Sequence, residues 1–143
     1  MSSQELSKET KKIVKATAPV LQEYGVEITT RMYERMAEEQ PDLKALFANT
    51  RNGQAERLAG AVLAYAQNID DLEELAPTIA VIAKKHVNVN VLPKHYPIVG
   101  QLLLSAMQDI LGDALDKKIL DAWAEAYTYL ADVFIAKEKE LRA

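Results

Sequence analysis

The 143 residues contain no cysteine. That excludes a disulfide framework, a thiolate zinc site, an iron–sulfur cluster and thioether-attached haem. It also makes the cytoplasm the default expectation. Glycine is scarce, at positions 25, 53, 60, 100 and 112 only. The closest pair is seven apart, so neither a GxGxxG loop nor a Walker loop is present. There is no basic excess: 17 Lys and Arg stand against 21 Asp and Glu, a net charge of −4. Nucleic acid is therefore not an expected partner. No run approaches the roughly 18 apolar residues of a membrane span, and the polar start MSSQELSKETKK is no signal peptide. The 49% hydrophobic content suits a helical domain with one core. At this length one domain over 1–143 is expected, able to bury about 70% of its unfolded surface.

Helical periodicity runs almost end to end and predicts an all-α fold of six long segments and one short one. Ser2 and Glu5 have capping-box spacing. Leu6, Ile13, Val14, Thr17, Val20 and Leu21 form a first stripe, which Pro19 should kink and Gly25 should stop. Ile28, Met32, Tyr33 and Met36 form the next. Pro41 suits the first turn of a short helix to Phe47. ANTRNG (48–53) is a loop. A long helix from Gln54 turns Leu58, Ala61, Val62, Tyr65 and Ile69 inward. After Asp70-Asp71, with Pro77 near a helix start, Leu75, Ile79, Ile82 and His86 share a face. NVNVLP is a connector. A helix from His95 carries Tyr96, Val99, Leu103, Ala106, Met107 and Ile110, until Gly112-Asp113 breaks it. The last helix, from about Asp116, carries Ile119, Trp123, Ala126, Tyr127, Leu130, Phe134 and Glu138.

Two residues interrupt these apolar faces. His86 is either a core histidine with a hydrogen bond or a ligand for a metal or haem, because neutral imidazole is a common iron ligand. Glu138 is either paired and buried or solvated in the run KEKELR. His95, between Pro93 and Pro97, reads as a solvated capping residue. The histidines are nine apart, unlike a helical zinc pair. Ala83 and Leu92 stand where a Glu-x-x-His di-iron site needs glutamate. No GxSxG nucleophile elbow exists.

In combination, Tyr33, Pro41, Phe47, Gln54, Leu58, His86 and HYPIVG (95–100) resemble the single-domain bacterial haemoglobins, relatives of the haem domain of flavohaemoglobins. APVLQEYGVEIT (18–29), AQNIDDL (66–72), ILDAWAEAY (119–127) and ADVFIAKEKEL (131–141) extend the resemblance over nearly the whole chain. It implies a three-over-three globin sandwich around non-covalent haem b. His86 then matches the proximal iron ligand and Phe47 the ring packed on the porphyrin. Tyr33, Gln54 and Leu58 match the distal residues that meet dioxygen. Tyr96 and Glu138 match a proximal hydrogen-bond network, and Val99 lies on the cofactor side. Two departures stand out. The loop 48–53 is short, and Ala55 replaces a proline common in the family, which predicts a looser start to that helix.

The resemblance implies one of two functions. One is reversible oxygen binding for storage or delivery. The other is nitric oxide dioxygenation, in which NO and dioxygen give nitrate at the expense of one electron. With no nucleotide loop up to Ala143, that electron would need a separate flavin reductase. A haem-free structural helical protein is a third reading. A monomer or a homodimer is expected.

Overall fold

The computed structural model describes residues 6–44 and 53–143. Every regular element among them is helical: α1 (Lys8–Ala16), α2 (Ala18–Glu39), α3 (Pro41–Lys44), α4 (Gln54–Gln67), α5 (Ala76–Asn88), α6 (His95–Leu111) and α7 (Lys117–Arg142). Two 3-10 turns, Leu72–Leu75 and Gly112–Ala114, lead into α5 and toward α7. No described helix is long and apolar enough to cross a membrane.

The helix boundaries follow from local chemistry. Ser7 caps α1, its Oγ accepting from the Thr10 amide at 3.0 Å. The Ser2–Glu5 capping box expected from the sequence lies outside the described residues. The first break falls at Thr17, whose hydroxyl donates to the Val14 carbonyl at 2.6 Å, with Pro19 in the first turn of α2. Pro19 costs nothing there, because the amide it lacks has no intrahelical acceptor. Gly25 does not stop a helix, contrary to the sequence reading. It is buried inside the 22-residue α2, and a β-carbon on it would meet Ala59 Cβ at 3.5 Å. Its small size serves a close helix crossing. Pro77 starts α5 as expected, and Asp116 caps α7 by accepting from the Ile119 amide at 2.9 Å.

Most of the core lies between α2, α4, α6 and α7, around Ile28, Met32, Met36, Tyr65, Leu103 and Trp123. Trp123 Nε1 donates to Thr17 Oγ1 at 3.0 Å, and the Tyr65 hydroxyl donates to the Ala126 carbonyl at 2.7 Å. Buried polar groups here are thus hydrogen-bonded, as their desolvation requires. Val20, placed on the first stripe by the sequence, is exposed. Outside the core, Asp109 on α6 accepts from Arg31 and Arg35 on α2 at 2.6–3.0 Å. The two guanidiniums hold its carboxyl well below the usual range. A second, smaller apolar cluster gathers Ala83, Tyr96, Ala131 and Phe134 from α5, α6 and α7. Helix α5 packs on α7 and on the 3-10 turn before it, while α4 packs chiefly on α2.

Candidate functional site

Two sets of polar side chains interrupt these apolar clusters. The first joins α5, α6 and α7. His86 sits near the end of α5, half-buried. Its Nδ1 lies 2.9 Å from Tyr96 Oη and 2.9 Å from Glu138 Oε2. The Tyr96 hydroxyl donates to the same Oε2 at 2.6 Å. Glu138, on the last turns of α7, is 0% exposed. The sequence left it open whether this glutamate was solvated; it is buried and paired.

These partners dictate a proton position. An ionised carboxylate only accepts, so the contact to Glu138 requires hydrogen on Nδ1. In the neutral ring that leaves the lone pair on Nε2, which takes part in no hydrogen bond among the described residues. Both donors fall on Oε2, and Glu138 Oε1 is buried with no partner among the described residues. Burying a carboxylate is costly unless it is paired, and the two donors offset part of that cost. Burial, and then the neighbouring Glu138, push the Tyr96 phenol far above its ordinary value.

Aromatic packing holds the group in place. Phe134 lies 5.5 Å from the His86 ring centroid and stacks on Tyr96 at 6.4 Å. Tyr127 donates to the Tyr96 carbonyl at 2.8 Å. It reaches that position because residue 100 is glycine: a β-carbon there would lie 2.6 Å from Tyr127 Cε2. Arg142 Nη2 donates to the carbonyl of Val91, in the connector that follows His86.

The second set joins α2 and α4. Tyr33, half-buried on α2, is hydrogen-bonded to Gln54, the first residue of α4. Arg57 Nη2 donates to Gln54 Oε1 at 2.9 Å. Burial raises the Tyr33 phenol, while the Gln54 bond and the Arg57 charge oppose that rise. Leu58 and Val99 are partly buried against the main core. Despite Ala55, α4 is helical from Gln54 onward. Phe47 lies outside the described residues. No hydrogen bond among the described residues joins this set to the first; Tyr127 and Leu130 border both apolar clusters.

His95 Nδ1 accepts from the Leu92 amide at 2.9 Å, a capping contact, and burial lowers its pKa. Among the described residues no cluster of three or more His, Asp or Glu could hold a metal ion. Sequence reading missed the roles of Thr29, Gly100 and Arg57. The small residues at 25 and 29 and at 55 and 59, four apart on each of two helices, were the available signal for the first.

A globin family model matches residues 30–134. An uncharacterised globin-like protein of Aquifex aeolicus is 46% identical over 136 residues, covering 95% of this chain and 96% of its own. A flavohemoprotein of Halalkalibacterium halodurans is 46% identical over 144 residues. That match covers 99% of this chain and 35% of the relative, so the chain spans about a third of the flavohemoprotein's length. Among solved structures, a bacterial globin of Campylobacter jejuni superposes with a TM-score of 0.88 at 36% identity. It covers 95% of this chain and 99% of its own. A flavohemoglobin of Malassezia yamatoensis with bound FAD and heme gives 0.82 at 31%, covering 96% of this chain and 38% of its own.

Proposed function

The chain belongs to the globin family, and from that premise we propose that it binds haem b through His86 and binds dioxygen reversibly. The observation that carries this reading is the state of the His86 ring: Nδ1 is held by Glu138 and Tyr96, and Nε2 is outside every hydrogen bond among the described residues. A nitrogen oriented this way, with its tautomer set by the opposite side of the ring, is what a metal-ligating histidine requires. The apolar residues Ile79, Ile82, Val91 and Leu130 pack, only partly buried, on the cluster whose Tyr96 and Phe134 rings meet the histidine, which suits a large apolar group beside them. With no cysteine, attachment would be non-covalent.

When bound, the haem supplies the iron at which dioxygen binds. The chain's own residues do the rest. The Glu138 carboxylate draws on the Nδ1 proton, which makes Nε2 a more basic ligand and lowers the reduction potential. Leu58 and Val99 exclude water. The Tyr33 hydroxyl donates to the ligand that gathers negative charge, and Gln54 orients that hydroxyl. A hydrogen bond to a charged group contributes about 1.5–3 kcal/mol, roughly ten- to a hundred-fold in affinity.

A second reading, nitric oxide dioxygenation, is favoured by the match to flavohemoproteins. It needs one electron per nitrate formed, from a flavin reductase. The likeness to single-domain globins that cover their whole length favours oxygen binding for these 143 residues.

The test is direct. The purified chain should show a Soret band and a reversible change of its spectrum with oxygen pressure, and His86→Ala should abolish both. A chain that takes up no haem would overturn the reading. Adding a flavin reductase with NO then separates the two functions: many turnovers select the dioxygenase, and one stoichiometric turnover selects the oxygen binder.

A further inference from the structure

Helices α2 and α4 cross at small residues. A β-carbon on Gly25 would lie 3.5 Å from Ala59 Cβ, and one turn along α2 the Thr29 hydroxyl reaches the Ala55 carbonyl at 2.8 Å. Thr29 is 1% exposed. Its hydroxyl also lies 3.2 Å from the Gly25 and Val26 carbonyls of its own helix. A threonine inside a helix ordinarily satisfies its one hydrogen by bonding back to its own preceding turn. Here the contact across to α4 is the shortest of the three, so the hydrogen bridges two helices.

The bridge falls beside the distal pair. Ala55 follows Gln54, and Gln54 is hydrogen-bonded to Tyr33. Tyr33 lies four residues after Thr29, on the same face of α2. The first turn of α4 has no side-chain cap: Gly53 stands at the cap position, at φ 90°, with no side-chain cap bond, and its local side-chain tie is the Arg57–Gln54 bond. Side-chain caps are what normally pin a helix start. A looser start, which Ala55 in place of proline would predict, is countered by a bond to that residue's own carbonyl.

We infer that Thr29 is a positioning residue for the Tyr33–Gln54 pair, locking the first turn of α4 onto α2 so that Gln54 stays within reach of the Tyr33 hydroxyl. This rests on the proposed reading that the pair meets bound dioxygen. Thr29 itself touches no ligand. Its effect runs through one carbonyl and one helix turn.

Thr29→Val keeps shape and volume and removes the hydroxyl, whereas Thr29→Ser keeps the hydroxyl. In the haem-loaded chain, Thr29→Val should speed amide exchange in the first turn of α4 about tenfold. It should also raise the dioxygen off-rate about five- to tenfold, and Thr29→Ser should restore both. In a Tyr33→Phe background, Thr29→Val should change the off-rate less than twofold, because the residue it positions is gone. Unchanged exchange and off-rate in Thr29→Val would overturn the inference, as would an effect that simply adds to Tyr33→Phe. If Thr29→Val does not fold, Thr29→Ala and Thr29→Ser are read by the same two criteria. Should the chain take up no haem, the functional reading fails by itself, and amide exchange in the unloaded chain still decides whether Thr29 holds α4.

Discussion

Tyr127 occupies the space that a β-carbon on Gly100 would need, 2.6 Å from Tyr127 Cε2. The Tyr127 hydroxyl then donates to the carbonyl of Tyr96, the residue that donates to Glu138. One missing side chain on α6 thus lets α7 brace the backbone beside the His86 network.

Alanine normally stabilises a helix interior relative to glycine by about 0.5–1 kcal/mol. Gly100→Ala should do the opposite here and cost about 1–3 kcal/mol, the usual penalty for overpacking. Urea unfolding checks it. Tyr127→Leu in the same chain should recover part of the loss by removing the ring, and a stabilising Gly100→Ala would show that the ring yields.

Burial raises the phenols of Tyr65, Tyr96 and Tyr127 well above the ordinary tyrosine value. The folded chain therefore holds these protons more tightly than the unfolded chain, whose tyrosines titrate near 10. Their contribution to stability is fully present below about pH 10 and is lost as pH rises toward the folded values. Each phenol should contribute a slope of about 1.4 kcal/mol per pH unit, roughly 4 together. Denaturant midpoints between pH 9 and 12 should fall accordingly, and Tyr96→Phe should remove about a third of the slope.

Glu138→Gln keeps an oxygen for Tyr96 and His86 but removes the negative charge behind Nδ1. On the proposed reading the reduction potential of the haem-loaded chain should rise by about 60 mV or more, a tenfold change in a one-electron equilibrium. Spectroelectrochemistry measures it. An unchanged potential would mean that the glutamate serves packing alone.

Tyr33→Phe removes the hydrogen-bond donor of the distal pair. The dioxygen off-rate in stopped flow should rise ten- to a hundred-fold. Equal rates would remove Tyr33 from ligand binding.

Helix α5 packs on α7 and on a short turn. Haem bound at His86 would add the missing contact, so the unloaded chain should melt lower, as expected for any ligand held by the folded state alone. Hydrogen exchange should place the earliest opening in α5. Equal melting with and without haem would contradict the assignment of His86.

The sequence made the helices legible because their stripes are long and strongly periodic. His86 and Glu138 stood out as polar residues on apolar faces, and they do meet across α5 and α7. What no stripe conveys is that a single carboxylate oxygen serves both donors while the other serves none among the described residues. Gly25 was misread because a glycine that ends a helix and one that admits a neighbouring helix look alike in one dimension. Thr29 was passed over for a related reason. A lone hydroxyl among Ile28 and Met32 gives no sign of whether it bonds to its own turn or to another helix.

Because α2 runs unbroken through Gly25, Thr29 and Tyr33, those three positions are fixed in phase with one another. An α-helix turns about 100° per residue. A single-residue insertion or deletion between 25 and 33 would swing Tyr33 about a quarter of a turn away from Gln54, even with every contact before it intact. This stretch should therefore tolerate substitution far better than any change in length.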